Sequence, residues 1–141
     1  MATVLYVDDD PAVRMVVRRQ LEHSGLQVYT AEGVREAKER IEQMPPDGLF
    51  IDIWLGDGTA FELHAWLQEH HPRVARNTLF VTGDIAANAD LGRQVRALGR
   101  PVFVKPFDFD ELEDTIRTWT RISGGLPAIS NVQTERDFGA R

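Results

Sequence analysis

Thr3-Val-Leu-Tyr-Val-Asp-Asp-Asp-Pro11 is the stretch whose reading decides the fold. Residues 3 to 7 are the first of the short apolar runs that alternate with longer amphipathic segments, the pattern of βαβ units around a parallel sheet. Asp10 then reads as a helix N-cap with Pro11 at the first helical position. Val13, Val16, Val17 and Leu21 follow at helical spacing toward a core, until Gly25 supplies a stop. A buried strand, a turn of carboxylates and an amphipathic helix make up the first half of a βαβ unit.

The same alternation continues along the chain. Gln27 to Ala31 predicts a second strand, and Arg35 to Met44 predicts a surface helix carrying Ala37 and Ile41 inward, ended by Pro45-Pro46. Gly48 to Ile51 is a continuous apolar strand that runs into Asp52 and then the Gly-rich turn Leu55-Gly-Asp-Gly-Thr59. Phe61 to His70 predicts a helix turning Phe61, Ala65 and either Leu63 or Trp66 and Leu67 toward the core, ending near Pro72. Thr78 to Thr82 and Pro101 to Val104 predict the last two strands, with helices over 85–98 and about 108–121. Ser123 to Arg141 lacks periodicity and reads as a flexible tail or linker. The expected architecture is therefore α/β: a doubly wound, five-stranded parallel sheet with helices on both faces, in one domain over 1–122 followed by a tail over 123–141.

Composition narrows the function. The 141 residues suffice for one domain with its own core, and a net charge of −6 disfavours direct contact with nucleic acid. No cysteine is present, which removes disulfides and thiolate metal sites and leaves carboxylates and four histidines as candidate ligands. No apolar stretch is long enough to span a bilayer and the N-terminus does not resemble a signal peptide, so a cytoplasmic protein without membrane insertion is expected.

In an open parallel α/β sheet, functional groups gather beyond the carboxyl ends of the strands. Here those ends are Asp8-Asp9, Asp52, Thr82-Gly83 and Lys105-Pro106. Clustered carboxylates repel unless a cation neutralises them, and an all-oxygen set suits Mg²⁺, with Mn²⁺ as a substitute. With a lysine nearby, such a site can draw charge from a phosphoryl group while a carboxylate attacks phosphorus.

The order Val7-Asp8-Asp9, Ile51-Asp52, Val81-Thr82-Gly83 and Val104-Lys105-Pro106-Phe107 resembles the receiver domains of two-component response regulators, with their flavodoxin-like fold. The resemblance implies that Asp52 is the phosphoacceptor, that Asp9 binds Mg²⁺ directly with Asp8 beside it, and that the Trp54 backbone carbonyl completes the metal site. It further implies that the Thr82 hydroxyl and the Lys105 ammonium contact the phosphoryl group, and that the peptide bond before Pro106 is cis. A sensor histidine kinase or a histidine phosphotransfer protein would be the donor and an unidentified protein the output partner; a homodimer is compatible with the pattern. A receiver is a signalling domain, with slow self-dephosphorylation at most.

Three positions depart from the family pattern. Gly56 and Ala60 stand where many receivers have proline and glycine, which implies a more flexible loop, and Val102 stands where many have a switching Tyr or Phe. Trp54 occupies a position that tunes acyl-phosphate lifetime in the family and would shield the phosphoryl group. Two rivals fit parts of the sequence. One is a receiver-like module that acts without phosphorylation; the other is a haloacid-dehalogenase-like phosphohydrolase built on Asp8-x-Asp10. His23, His64, His70 and His71 read as surface residues, Trp66 and Trp119 as packing residues, and Arg14, Arg18 and Arg19 as a solvated stripe with kinase docking as a second reading.

Overall fold

The computed structural model describes residues 2–82, 102–104 and the single residues 93, 94, 97, 110, 111 and 114. The expected helices over 85–98 and 108–121 and the tail over 123–141 lie outside this set apart from those single residues, which are helical. The main strands are β1 (Thr3–Val7), β2 (Gln27–Ala31), β3 (Gly48–Asp52), β6 (Thr78–Thr82) and β7 (Val102–Val104). They form one parallel sheet in the order β2-β1-β3-β6-β7. Helices α1 (Pro11–His23), α2 (Val34–Gln43), α3 (Ala60–His70) and the short α4 (Pro72–Arg76) connect them.

Strand alternation sorts the core into two layers. Val4, Tyr6, Val28, Phe50, Leu79 and Val81 pack with Val17 and Leu21 of α1. Leu5, Val7, Leu49, Ile51 and Phe80 pack on the opposite face with Ala37 and Ile41 of α2, Leu63 and Leu67 of α3, and Val74 of α4. Every residue of β3 and β6 is buried, which is why these strands read as unbroken runs rather than alternating ones.

Local chemistry fixes the helix ends. The Asp10 carboxylate accepts hydrogen bonds from the N–H groups of Ala12 (2.9 Å) and Val13 (3.3 Å), and Pro11 opens α1 as expected. Thr59 caps α3 by accepting from Glu62 N–H at 3.3 Å.

Several expectations are corrected. Val16 is exposed, because the arc of α1 that meets the sheet is covered by Val17 and Leu21, with Val13 partly buried. Ala65 is exposed too, and α3 buries Leu63, His64 and Leu67 instead. His64 is the histidine that is not on the surface: it is 5% exposed, its ring meets Phe80 edge-on at 5.7 Å, and its Nε2 lies 3.2 Å from the Ala75 carbonyl oxygen. His71 is also partly covered, with Nε2 2.9 Å from Glu42 Oε1. Within the Gly-rich turn, β4 (Trp54–Leu55) and β5 (Gly58–Thr59) form a small antiparallel hairpin.

Candidate phosphoacceptor and metal site

The strand order reverses direction between β1 and β3, which makes the crevice beyond their carboxyl ends the switch point of the sheet. Val7 pairs with Ile51, so Asp8-Asp9 and Asp52 leave adjacent strands at the same level. One carboxylate oxygen from each of Asp8, Asp9 and Asp52 falls within 4.8 Å of the others. Three hard oxygen donors are the ligand type that suits a Mg²⁺-type cation.

The three carboxylates are held differently. Asp8 is fully buried; its Oδ2 accepts from the Tyr6 hydroxyl at 2.6 Å and its Oδ1 from Asp10 N–H at 2.9 Å. Arg14 reaches back to the same turn, Nη1 donating to the Asp8 carbonyl at 2.6 Å, so this arginine does more than line a solvated stripe. Asp9 is exposed. Asp52 is 8% exposed and its Oδ1 accepts from Trp54 N–H at 3.2 Å, which orients the carboxylate.

Tyr6 is a neighbour of the acidic cluster that sequence reading passed over. Burial first, then the hydrogen bond to Asp8 and the negative charges around it, push its phenol far above the usual range, so it stays a donor. Its ring packs on Phe50 with centroids 5.2 Å apart. Its place in the apolar run of β1 puts Tyr6 inside; a tyrosine two positions before a carboxylate is the signal that its hydroxyl needs an acceptor. Tyr6→Phe keeps the ring volume and removes only that donor. The variant is expected to lose about 1.5–3 kcal/mol of stability in urea unfolding with an unchanged slope, the usual worth of a hydrogen bond to a charged group. An unchanged midpoint would show that the hydroxyl does not support the Asp8 carboxylate.

Thr82 ends β6 next to β3 and is fully buried, and its Oγ1 has no hydrogen-bond partner among the described residues. A buried hydroxyl in that condition needs an acceptor to recover the cost of its desolvation. Trp54 is 52% exposed. Val104 pairs with Thr82 and directly precedes Lys105; Lys105 and Pro106 themselves lie outside the described residues.

Next to Asp9, a cleft of about 590 Å³ is lined by Glu32, Glu36, Glu39 and Asp57 among others. Asp57 is held in place at its edge by α2. Its carboxylate accepts from Arg35 N–H at 3.0 Å and Val34 N–H at 2.8 Å, and these bonds hold its pKa below the ordinary carboxylate value.

A flavodoxin-like parallel sheet with an acidic centre at its switch point defines the class. A family model described as the response regulator receiver domain matches residues 4–117. The chain belongs to that family, the receiver domains of two-component systems. It is 30% identical over 120 residues to the response regulator protein PilR of Pseudomonas aeruginosa, covering 84% of this chain and 26% of PilR. With the transcriptional regulatory protein TrcR of Mycobacterium tuberculosis it shares 31% identity over 123 residues, 87% of this chain and 47% of TrcR. With the DNA-binding transcriptional regulator NtrC of Escherichia coli K12 the figures are 32% over 111 residues, 77% and 22%. The chain thus spans less than half the length of each of these relatives.

Among solved structures, a two-component response regulator from Clostridium difficile superposes with a TM-score of 0.74 at 20% identity, covering 87% of this chain and 98% of that one. The response regulator TrrA of Thermotoga maritima, in complex with Mg²⁺-BeF, gives a TM-score of 0.72 at 22% identity, covering 84% and 99%. These likenesses establish the fold. Among the described residues, no helix is long and apolar enough to cross a membrane.

Proposed function

We propose that Asp52 accepts a phosphoryl group from a phosphohistidine on a sensor histidine kinase or a phosphotransfer protein, in a Mg²⁺-dependent reaction. The observation that carries this reading is the meeting of Asp8, Asp9 and Asp52 within 4.8 Å at the switch point of a receiver fold. Asp8, Asp9, Asp52 and the Trp54 carbonyl would hold the cation. When bound, Mg²⁺ neutralises the carboxylates and draws charge from the phosphoryl oxygens.

The chain's own residues do the rest. Trp54 N–H holds the Asp52 carboxylate in place, and an Asp52 oxygen forms the new bond to phosphorus as the bond from phosphorus to the donor breaks. The buried Thr82 hydroxyl gains a phosphoryl oxygen as acceptor, and the Lys105 ammonium pairs with another. The added charge then biases the surface around the helix expected over 85–98 and the strand that ends at Val104, where an output partner binds. The relatives are named as DNA-binding or transcriptional regulators and are much longer. The −6 charge of this chain disfavours nucleic-acid contact by the domain itself, so output passes through protein contact. Residues 1–122 act as the cytoplasmic receiver and 123–141 as a flexible tail or linker, without membrane insertion and without multiple turnover of a substrate.

Intact mass after incubation with Mg²⁺ and acetyl phosphate tests the reading. One phosphoryl adduct, with acetate as leaving group, is the expected result; absence of any adduct would favour a module that works by contact alone.

Trp54 sets the lifetime of that adduct. The Trp54 backbone bonds the Asp52 carboxylate, and its half-exposed indole would cover the approach of water. Trp54→Asn is expected to lose the phosphoryl group about tenfold faster, equivalent to ~1.4 kcal/mol of barrier. A half-life equal to the parent's, followed by mass after donor removal, would rule out shielding by the indole.

A further inference from the structure

We infer that Asp57 is a positioning residue that clamps the loop following the phosphoacceptor to the start of α2 and thereby fixes the Trp54 backbone. This rests on the proposed Mg²⁺-dependent function of Asp52.

The hairpin carrying Trp54 is minimal. Trp54 pairs with Thr59 and Leu55 with Gly58, which leaves Gly56 and Asp57 as its tip. A ladder of two pairs cannot hold itself in water. At its base it is tied to the sheet: Ile53 N–H donates to the Val81 carbonyl at 2.8 Å and Ala60 N–H to the Ile53 carbonyl at 2.9 Å. At its tip the tie is Asp57, with one carboxylate oxygen on Val34 N–H at 2.8 Å and the other on Arg35 N–H at 3.0 Å.

Those two N–H groups open α2, whose own N-cap residue, Gly33, makes no side-chain cap. Asp57 therefore supplies the missing cap from 23 residues further along the chain, satisfying donors that a helix start leaves orphaned. Gly33 is what allows the approach: a Cβ there would stand 2.5 Å from Asp57 Oδ1. The clamp also answers the loss of the proline that many receivers carry at position 56. Rigidity that a proline ring would give by restricting φ comes here from a bidentate contact with another element.

The backbone of Trp54 thus lies between two anchors, and it both orients Asp52 and, in the proposed function, offers the carbonyl to Mg²⁺. Release of the tip lets Trp54 drift, which weakens metal binding without touching any carboxylate of the cluster.

The test compares the full-length parent with Asp57→Ala, with Gly33→Ala, which displaces the same contact from the other side, and with Gln43→Gly. Gln43→Gly weakens α2 at its far end without changing charge. Amide hydrogen exchange is measured without metal, and Mg²⁺ affinity by calorimetry. Asp57→Ala and Gly33→Ala are expected to speed exchange at Trp54, Val34 and Arg35 and to weaken Mg²⁺ binding roughly tenfold, the scale of supporting contacts around a metal. Gln43→Gly is expected to do neither at Trp54 nor to Mg²⁺. The clamp is overturned if Trp54 exchange is unchanged in Asp57→Ala, or if Gln43→Gly weakens Mg²⁺ equally. A parent that bound no Mg²⁺ would remove the receiver chemistry, while exchange at Trp54 would still decide whether Asp57 holds the hairpin.

Discussion

Asp52→Ala gains no phosphoryl group from acetyl phosphate and Mg²⁺ under conditions in which the parent gains one. The effect is all or none because an acyl phosphate needs the carboxylate oxygen that alanine lacks, and no neighbouring group is equivalent. Asp8 has both oxygens engaged in the buried interior, by Tyr6 and by the Asp10 N–H, so it is poorly presented as a replacement nucleophile. The variant should fold, since it relieves like-charge repulsion at the site and truncates a residue at a strand end. Intact mass reads the outcome directly. An adduct that survived in Asp52→Ala would transfer the chemistry to the turn after β1 and revive the phosphohydrolase reading based on Asp8.

Asp9→Ala is expected to have the next largest effect, and its sign depends on the metal. Asp9 is the exposed member of the cluster and the one most able to meet an ion from solvent. Removing a direct ligand should weaken Mg²⁺ binding by at least the roughly 10- to 100-fold typical of lost supporting contacts. Without metal the same change should stabilise the protein. Two carboxylates at the 4.8 Å separation repel by on the order of 1 kcal/mol even in water, and alanine removes that repulsion. Thermal unfolding with and without Mg²⁺ separates the two effects: the parent midpoint should rise with added metal, while the variant should start higher and gain little. If the variant gained as much as the parent, Asp9 would not be a ligand.

The sheet was legible because its chemistry is local. Short apolar runs at 3–7, 48–51 and 78–82 announce strands, the second of them buried on both faces, and Asp10-Pro11 announces a helix start. The acidic centre was legible because strand order puts the ends of β1 and β3 side by side, so residues distant in sequence meet wherever a run ends in a carboxylate. What could not be read depends on contacts between elements. The burial of His64 is decided by Phe80 and the Ala75 carbonyl, neither of which helical spacing in α3 reveals. Tyr6 is different: alternation puts it on the same face as Asp8, and only the need of its hydroxyl for an acceptor went unread. Asp57 looked like an ordinary turn residue, because its partners belong to a helix 22 and 23 residues earlier. Lys105 was assigned from its place in the motif alone and lies outside the described residues.

The close approach at Gly33 also constrains how the sequence can drift. With Oδ1 of Asp57 only 2.5 Å from where a Cβ would stand, any side chain at 33 must displace the Asp57 carboxylate from the N–H groups it accepts. The two positions should therefore change together among descendants of this chain. A lineage that acquires alanine at 33 is expected to abandon aspartate at 57, and then to regain a capping serine, threonine or aspartate at the start of α2 or a proline in the hairpin.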